Sequence, residues 1–417
     1  MLKNNRKALS DRDVSLISQI VYGVTTWKLT LDEIIKKYSS IKLKKISIWI
    51  INILRMGIYQ IIFLDKIPKS AAVNECVNLA KRYGHKASSG FVNAILRKVS
   101  PDDYLQLFDV KLPKAEMISK TQSMPLWIIE ELLENNTIEE VEEICKNLNL
   151  TPCVSIRVNN VKTTKKELEE IFNKNSIQYE EGELDDFLIL NKAKNIENIE
   201  GFKEGLFTVQ DESAGLTCLV LNPKEGQMVL DACSAPGGKT TYMAEIMKNT
   251  GNIIAWDVYE HRINLINENA NRLGLKNINT SINDASIYNE NYKEKFDKIL
   301  LDVPCLGIGV IRRKPDIKWQ RKQEDVYEIS KLQYKILETC SKYLKPGGEL
   351  VYSTCSILKK ENEDVILKFL ENNKDFEIKK LDSNKWNEYI KEEKYFSIKP
   401  DKKHDGFFIC KLHKNNI

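Results

Sequence analysis

The sequence predicts a multidomain protein built from an all-α bundle, a small α+β module and a doubly wound α/β domain. A chain of 417 residues exceeds what one hydrophobic core usually serves. Apolar residues recur at helical spacing through the first hundred positions. From about Phe207 onward, short apolar strands alternate with helices. We expect the domains to cover residues 1–103, 104–205 and 206–417.

Five helices are predicted in the first domain. They begin near Asp11, Leu31, Ile46, Ser70 and Ser88. The third, Ile46 to Leu64, is long enough to cross a membrane. It carries Arg55 at its centre, and an unpaired arginine there costs roughly 2.5 to 3.5 kcal/mol. A buried helix of the bundle is therefore the better interpretation.

Basic charge is concentrated in the first domain. Residues 1–100 contain 18 Lys or Arg against 6 Asp or Glu, although the whole chain carries only +4. This asymmetry favours a polyanionic partner, with nucleic acid as the leading candidate. A solvated, lysine-rich helical surface remains the alternative.

Composition limits the remaining classes of protein. The chain is 42% hydrophobic and 29% charged, as in ordinary globular proteins, and no apolar run follows the basic amino terminus. Nine cysteines without a C-x-x-C pair indicate free thiols rather than a disulfide framework or a zinc site. We expect a cytoplasmic protein without a bound metal.

The second region reads as a small acidic α+β module. Glu130 to Asn147 predicts one amphipathic helix, Cys153 to Val158 alternates as a strand does, and Thr164 to Asn173 is helical again. Its excess of acidic residues argues against a role as the main phosphate-binding surface.

The third region predicts a largely parallel sheet. In such a sheet the ligand lies beyond the carboxyl ends of the strands, at the point where the strand order reverses. Helices are predicted at Tyr259 to Leu273 and at Glu324 to Leu344. The predicted strands are Met228 to Asp231, Asn252 to Asp257, Ile278 to Asn283, Lys298 to Asp302 and Glu349 to Ser353.

A glycine turn follows the first of these strands and opens a helix. Adjacent glycines let the backbone approach a ligand closely, and the amino end of a helix attracts anionic groups. A P-loop would need glycine at 233, where the chain has Cys233, and the dinucleotide spacing of glycines is absent. The residues predicted to bind a cofactor here are Cys233, Ser234, Ala235, Pro236, Gly237, Gly238 and Lys239.

Carboxylates stand at the ends of three further strands. Asp257 suits ribose hydroxyls, Asp284 suits an adenine amino group, and Asp302 closes the fourth strand. Helix caps or turns are the alternative for any one of them. Carboxylates at the ends of successive strands, beside a glycine turn, predict that the domain binds S-adenosylmethionine. The ammonium group of this cofactor also favours nearby carboxylates.

Two thiols follow strands of the same sheet. Cys305 follows the strand that ends at Asp302, and Cys355 follows the strand that ends near Ser353. A thiolate at a cofactor cleft suits attack on an electrophilic carbon. Simple packing is the alternative, because cysteine behaves as a small hydrophobe in buried strands.

Several motifs carry a family resemblance. The first hundred residues, through Leu54 to Gln60 and Gly90 to Arg97, resemble the RNA-binding domain of NusB. The segments Asp231 to Thr240, Asp302 to Trp319, Ser353 to Ser356 and Asp405 to Phe408 resemble the RNA 5-methylcytosine methyltransferases of the Nol1/Nop2/Sun type. Three positions depart from the family pattern, namely Ser234, Leu306 and Ile308.

That resemblance implies a class I methyltransferase domain with a Rossmann-like fold, an RNA-recognition-motif-like middle module and a division of roles. Cys355 attacks the cytosine, Cys305 acts in product release, and Asp302 stabilises charge on the base. We expect Lys239 to hold the cofactor or to activate the thiol. The methyltransferase resemblance and the NusB-like first domain together imply that a monomer of this protein binds 16S ribosomal RNA.

Cationic residues close to this motif predict contacts with the RNA. Arg312, Arg313 and Lys318 lie beside Trp319, a possible stacking surface. A solvated loop is the alternative.

Two other classes of function fit the sequence less well. A non-enzymatic RNA-binding factor would need neither the glycine turn nor Cys355. An amino-group methyltransferase should show Asp-Pro-Pro or Asn-Pro-Pro where this chain has Asp302-Val303-Pro304-Cys305.

Overall fold

The computed structural model describes residues 9–108, 111–191, 195–381 and 386–416. Its contacts divide the chain into two compact units. One holds the residues up to Asn149 together with Lys314–Gln320, and the other holds Leu150–Arg313 and Arg321–Ile417. Residues 114–147, predicted as part of the middle module, therefore lie in the helical unit.

The helical unit contains nine helices before Asn149 in the described chain. The apolar faces of the first five helices share one core, in which Leu31, Leu54 and Leu96 are completely buried. In chain order the helices are α1 (Asp11–Thr26), α2 (Lys28–Tyr38), α3 (Ile48–Phe63), α4 (Lys69–Tyr83), α5 (Ser88–Leu96), α6 (Asp102–Leu105), α7 (Lys114–Thr121), α8 (Leu126–Leu133) and α9 (Ile138–Asn147).

Helix α3 confirms the prediction of a buried bundle helix. Its central Arg55 pairs with Asp32 on α2, with Nε 2.7 Å from Oδ1 and a second contact of 2.8 Å. Asn52 accepts a further bond from Arg55 at 2.9 Å. In the described parts of the chain, no helix has the length and apolar character needed to cross a membrane.

The single helix predicted for Glu130 to Asn147 is wrong. The Thr137 hydroxyl accepts a bond from the Glu140 backbone, and the Glu140 carboxylate accepts one from the Thr137 backbone. This capping box begins a new helix, so the segment divides into α8 and α9.

Four short strands and one helix form the next module. The strands are β1 (Val154–Val158), β2 (Tyr179–Glu181), β3 (Phe187–Leu190) and β4 (Phe207–Val209), and α10 (Lys165–Lys174) follows β1. They pair antiparallel in the order β2, β3, β1, β4. Phe172 of α10 and Phe207 of β4 are buried in its core. The α+β fold predicted for this module is confirmed.

The large sheet has nine strands among the described residues. From one edge the order is β7, β6, β5, β8, β9, β13, β12, β11, and β10 also pairs with β13. The strands are β5 (Met228–Asp231), β6 (Asn252–Asp257), β7 (Ile278–Ile282), β8 (Phe296–Asp302), β9 (Leu344–Thr354), β10 (Phe376–Ile378), β11 (Ile390–Lys391), β12 (Tyr395–Ile398) and β13 (Phe407–Lys414).

Strands β5 to β9 are parallel, and β13 runs antiparallel to β9. Consecutive residues of β8 belong to different apolar clusters, Leu300 to one and Leu301 to the other, because a strand alternates its faces. Helices cover both clusters, which confirms the doubly wound domain. These helices include α11 (Glu212–Leu221), α12 (Gly238–Ile246), α13 (Glu260–Leu273), α15 (Glu324–Ser341) and α16 (Glu363–Asn372), while α14 (Ile317–Gln320) belongs to the helical unit.

Candidate active site

The glycine turn lies between β5 and α12, next to the reversal of strand order. Ser234 fixes its start, because its backbone N–H and its hydroxyl both donate to the carbonyl of Trp256, at 2.9 and 2.7 Å. Gly237 has φ +99°, and a Cβ there would stand 3.2 Å from the Ile266 backbone. Glycine is therefore required at the turn.

A cavity of about 180 Å³ opens against this turn. Most of the residues predicted to bind a cofactor line it, and Asp302 joins them from the end of β8. The lining residues are Val209, Gln210, Ala214, Asp231, Cys233, Ser234, Ala235, Pro236, Gly238, Lys239 and Asp302.

The other two predicted carboxylates stand at the same edge of the sheet, outside this lining. Asp257 ends β6, where it accepts a bond from the Tyr259 backbone at 3.1 Å. Asp284 follows β7, is exposed, and accepts from the Ser286 backbone at 2.8 Å. Their contacts with a nucleoside stay predictions.

Lys239 and Asp302 form an ion pair at the cavity wall. The Lys239 ammonium lies 2.6 Å from Oδ2 of Asp302, and Ser353 donates to Oδ1 at 3.0 Å. Burial lowers the pKa of Lys239, but the Asp302 carboxylate outweighs burial and leaves that pKa raised. Lys239 thus remains a cation in its pocket.

The residues present suit a ligand that carries both an acid and an amine. Gln210 Nε2 is buried and has no hydrogen-bond partner in the described part of the protein, so a donor lining the cavity is left for a ligand. Asp231 supplies an acceptor, and burial raises its pKa to about 7. Within the described ranges, no cluster of three metal-ligating side chains is present.

The two predicted thiols are in direct contact. Sγ of Cys305 lies 2.8 Å from Sγ of Cys355. Both residues are partly exposed, and Cys355 packs against one apolar cluster of the large sheet. The hydrogen bond with Cys355 and burial raise the pKa of Cys305 well above its ordinary value. The Cys305 thiol therefore holds its proton more tightly than a free cysteine does.

Two residues predicted to contact RNA are buried instead. Arg312 lies 2.5 Å from the Asp405 carboxylate and donates to the Asp401 carbonyl at 2.6 Å. Lys318 is 1% exposed and lies within the helical unit. Phosphate contacts need accessible cations, so the structure corrects this prediction for both. Arg313, which pairs with Asp405 and Asp211, is partly exposed and stays a prediction.

Two buried charged residues near the site were not singled out by the sequence analysis. Arg157 of β1 is completely buried and binds Glu245 of α12 at 2.7 Å, which ties the small sheet to the helix that follows the glycine turn. Glu361 is buried beside both cysteine loops. Its surroundings in the sequence, Lys359-Lys360-Glu361-Asn362, look like an exposed polar turn and carry no signal of burial.

Comparisons with known proteins match all three regions. The description "NusB family" matches residues 1–101, "Methyltr_RsmF/B-like, ferredoxin-like domain" matches 124–197, and "16S rRNA methyltransferase RsmB/F" matches 218–413.

Individual proteins are similar over most or nearly all of the chain. The "Probable ribosomal RNA small subunit methyltransferase B" of Bacillus subtilis strain 168 is 36% identical, covering 99% of this chain and 93% of that protein. The crystal structure of PH0851 has a TM-score of 0.82 at 27% identity, covering 99% and 93%. A methyltransferase homologue from Pyrococcus horikoshii has a TM-score of 0.64 at 31% identity, covering 73% and 99%.

Proposed function

Because the chain belongs to the RsmB/F family of S-adenosylmethionine-dependent rRNA methyltransferases, we propose that it methylates carbon 5 of a cytidine in 16S rRNA through a covalent bond to Cys355. The contact between Cys305 and Cys355, beside the cavity that Lys239 and Asp302 line, carries this proposal. An enzyme that methylates an amino group would have no use for two adjoining thiols.

Carbon 5 of cytosine needs activation before it can accept a methyl group. Addition of the Cys355 thiolate to carbon 6 places electron density on carbon 5, which then forms a bond to the methyl group. S-Adenosylmethionine would supply that methyl group: the bond from the methyl carbon to the sulfonium sulfur breaks as the bond to carbon 5 forms, and a neutral thioether leaves. The carbon 5 proton is then removed, and the bond between Cys355 and carbon 6 breaks as the double bond re-forms.

The two thiols are suited to different roles. Cys305 keeps its proton because the neighbouring Cys355 and burial raise its pKa. A protonated Cys305 can donate to the Cys355 sulfur, which leaves Cys355 as the nucleophile. As Cys355 departs from the base, the same contact places Cys305 beside the leaving sulfur, where it can assist release.

Asp302 and Lys239 act on the charge of the reacting groups. Asp302 can accept a hydrogen bond from the cytosine amino group or from a protonated ring nitrogen, stabilising the base during addition. Lys239 orients Asp302 through their ion pair and keeps a positive charge near Cys355. The target base must be unpaired or flipped out, because stacking covers carbon 6.

The cysteine roles predict opposite outcomes for two variants. Cys355→Ala should abolish both methyl transfer and the covalent protein–RNA adduct, while its affinity for S-adenosylmethionine stays at the wild-type value. Cys305→Ala should accumulate the adduct, seen as a slowly migrating band on a denaturing gel. Cys153→Ala, which alters another partly exposed thiol, serves as the control. Methylation by Cys355→Ala would refute the mechanism.

The RNA target has its own test. Bisulfite sequencing of total RNA from a deletion strain should show one 16S cytidine that loses its methyl group. Restoration by the wild-type gene and not by Cys355→Ala would assign that site to this protein. Loss of the signal from transfer RNA or large-subunit RNA alone would contradict 16S rRNA as the substrate.

A further inference from the structure

Glu361 connects the loops that carry the two thiols. It lies in the turn between β9 and α16 and is completely buried. Its Oε2 accepts a hydrogen bond from the backbone N–H of Leu306 at 2.9 Å. Its Oε1 accepts a hydrogen bond from the hydroxyl of Ser356. Each donor is the residue that immediately follows one of the active-site cysteines, Cys305 or Cys355.

Neighbouring side chains extend this connection to the other flank of each cysteine. The Gln333 amide donates to Glu361 at 3.0 Å and to the Pro304 carbonyl, just before Cys305, at 3.0 Å. Asn362 accepts from the Thr354 hydroxyl at 2.6 Å and donates to the Ser356 carbonyl at 3.0 Å. Both cysteines are therefore held from both sides by one hydrogen-bonded network.

A buried carboxylate is an expensive choice for an ordinary structural link. Burial raises the pKa of Glu361, and the bonds from Ser356, Leu306 and Gln333 only partly compensate. The three hydrogen-bond donors that the structure gives this carboxylate are neutral groups. An acid suits the position because two carboxylate oxygens can accept several donors from different loops at once.

We propose that Glu361 is a positioning residue, whose hydrogen bonds to Leu306 and Ser356 set the separation and orientation of the Cys305 and Cys355 sulfur atoms. It acts through the two loops and does not touch the substrate. This inference rests on the covalent mechanism proposed above. It adds that the geometry of the thiol pair depends on a third residue that lies 55 positions from Leu306 in sequence.

Two substitutions separate hydrogen bonding from charge. In Glu361→Gln, the amide oxygen can accept from Leu306 and Gln333, and the amide nitrogen can donate to the Ser356 hydroxyl. The connection then survives without the negative charge. Glu361→Ala removes the connection. Ser356→Ala removes only the arm that leads to Cys355. Asp364→Ala, an exposed acid at the start of the same helix α16, is the matched control.

The measurement is the single-turnover rate of adduct formation with a cytidine-containing RNA, alongside the affinity for S-adenosylmethionine. Misplacement of reacting groups by about 1 Å can cost about 100-fold in rate. We expect a loss of about that size in Glu361→Ala, a loss of about tenfold in Ser356→Ala, and a rate near that of wild type in Glu361→Gln. Cofactor affinity should be unchanged in all of them.

Other outcomes would overturn the inference. A rate in Glu361→Ala or Ser356→Ala equal to that of Asp364→Ala would remove the positioning role. Equal losses in Glu361→Gln and Glu361→Ala would assign the effect to charge instead. If Glu361→Ala fails to fold, Ser356→Ala and Glu361→Gln decide the matter. Failure of the covalent mechanism itself is distinct, because wild type would then form no adduct.

Discussion

Lys239, which is partly buried, and Lys318, which is buried, lie in different units and meet opposite electrostatic surroundings. Lys239, at the cofactor cavity, has the Asp302 carboxylate 2.6 Å away, and this pairing outweighs burial so that its pKa is raised. Among the residues that the structure describes, Lys318 of the helical unit donates only to neutral oxygens, those of Thr26, Ser123 and Asn149. Burial without a countercharge lowers the pKa of Lys318 to about 7.

The comparison shows that burial alone does not identify a functional lysine. Both residues come from segments that resemble the same methyltransferase family. A buried cation beside a carboxylate in a cavity is suited to hold charge during a reaction. A buried cation among carbonyl groups instead fixes the ends of packed segments. Here it joins α14 to the end of α1, to the turn before α8 and to the segment after α9.

The largest expected effect concerns Lys318→Met. A lysine whose pKa is lowered on folding binds fewer protons when folded than when unfolded between pH 7 and 10.5. Its contribution to stability is therefore complete above pH 10.5 and is lost as the pH falls toward 7. This difference in pKa corresponds to at most about 5 kcal/mol. Denaturation of wild type and variant should be measured across this pH range. The free energy of unfolding should rise with pH from this lysine in wild type, and that rise should be missing in the variant.

Two results would contradict that expectation. Parallel stability curves for wild type and Lys318→Met would mean that the pKa of Lys318 is the same in the folded and unfolded states. A weaker affinity for RNA, with a smaller dependence on salt, would restore the phosphate contact first predicted for Lys318.

Lys239→Met should act on catalysis rather than on the pH dependence of stability between pH 7 and 10, because a raised pKa affects stability only at higher pH. It leaves Asp302 without its cation at the cavity wall, and removal of one preorganised electrostatic group typically costs about 100- to 1,000-fold in rate. Single-turnover methyl transfer measures the loss, with Lys318→Met as the matched control. Similar rates of methyl transfer in the two variants would contradict a catalytic role that Lys239 has and Lys318 lacks.

Asn149→Asp should make Lys318 resemble Lys239. The Asn149 side chain accepts from Lys318 at 2.7 Å, so a carboxylate there would supply the missing countercharge. A carboxylate at this distance typically raises a lysine pKa by about 1 to 3 units. The lost bond from Asn149 to the Gln122 carbonyl opposes the gain in stability. Stability measured between pH 7 and 10 should depend less on pH than in wild type.

Much of the α/β domain followed from local sequence. The predicted bounds of β5 and β6 agree with the structure, because apolar runs bounded by turn residues define a buried strand. The glycine turn and Asp302 lie at the cavity as predicted, since the carboxyl ends of parallel strands share one edge of the sheet. The domain boundary expected after residue 103 stays a prediction, and contacts between helices group residues 114–147 with the bundle.

Local sequence did not predict the environment of side chains whose hydrogen-bond partners are remote in sequence. Arg312 and Lys318 lie in a basic run that suits RNA, but Asp405 and Asn149, 93 and 169 positions away, hold them in the interior. Glu361 stands in a polar turn and becomes a buried acceptor because Leu306 and Ser356 converge on it. Nothing in the neighbouring residues distinguishes such a side chain from an exposed one.

The sequence by itself determined the elements, the glycine turn and the placing of two thiols at strand ends, because these depend on local pattern and backbone geometry. The tertiary structure decided which charges are partnered, which cations are buried and how close Cys305 lies to Cys355, at 2.8 Å. Those properties depend on solvent exclusion and on contacts between remote segments. Electrostatic energies vary so strongly with both that residue type alone does not determine them.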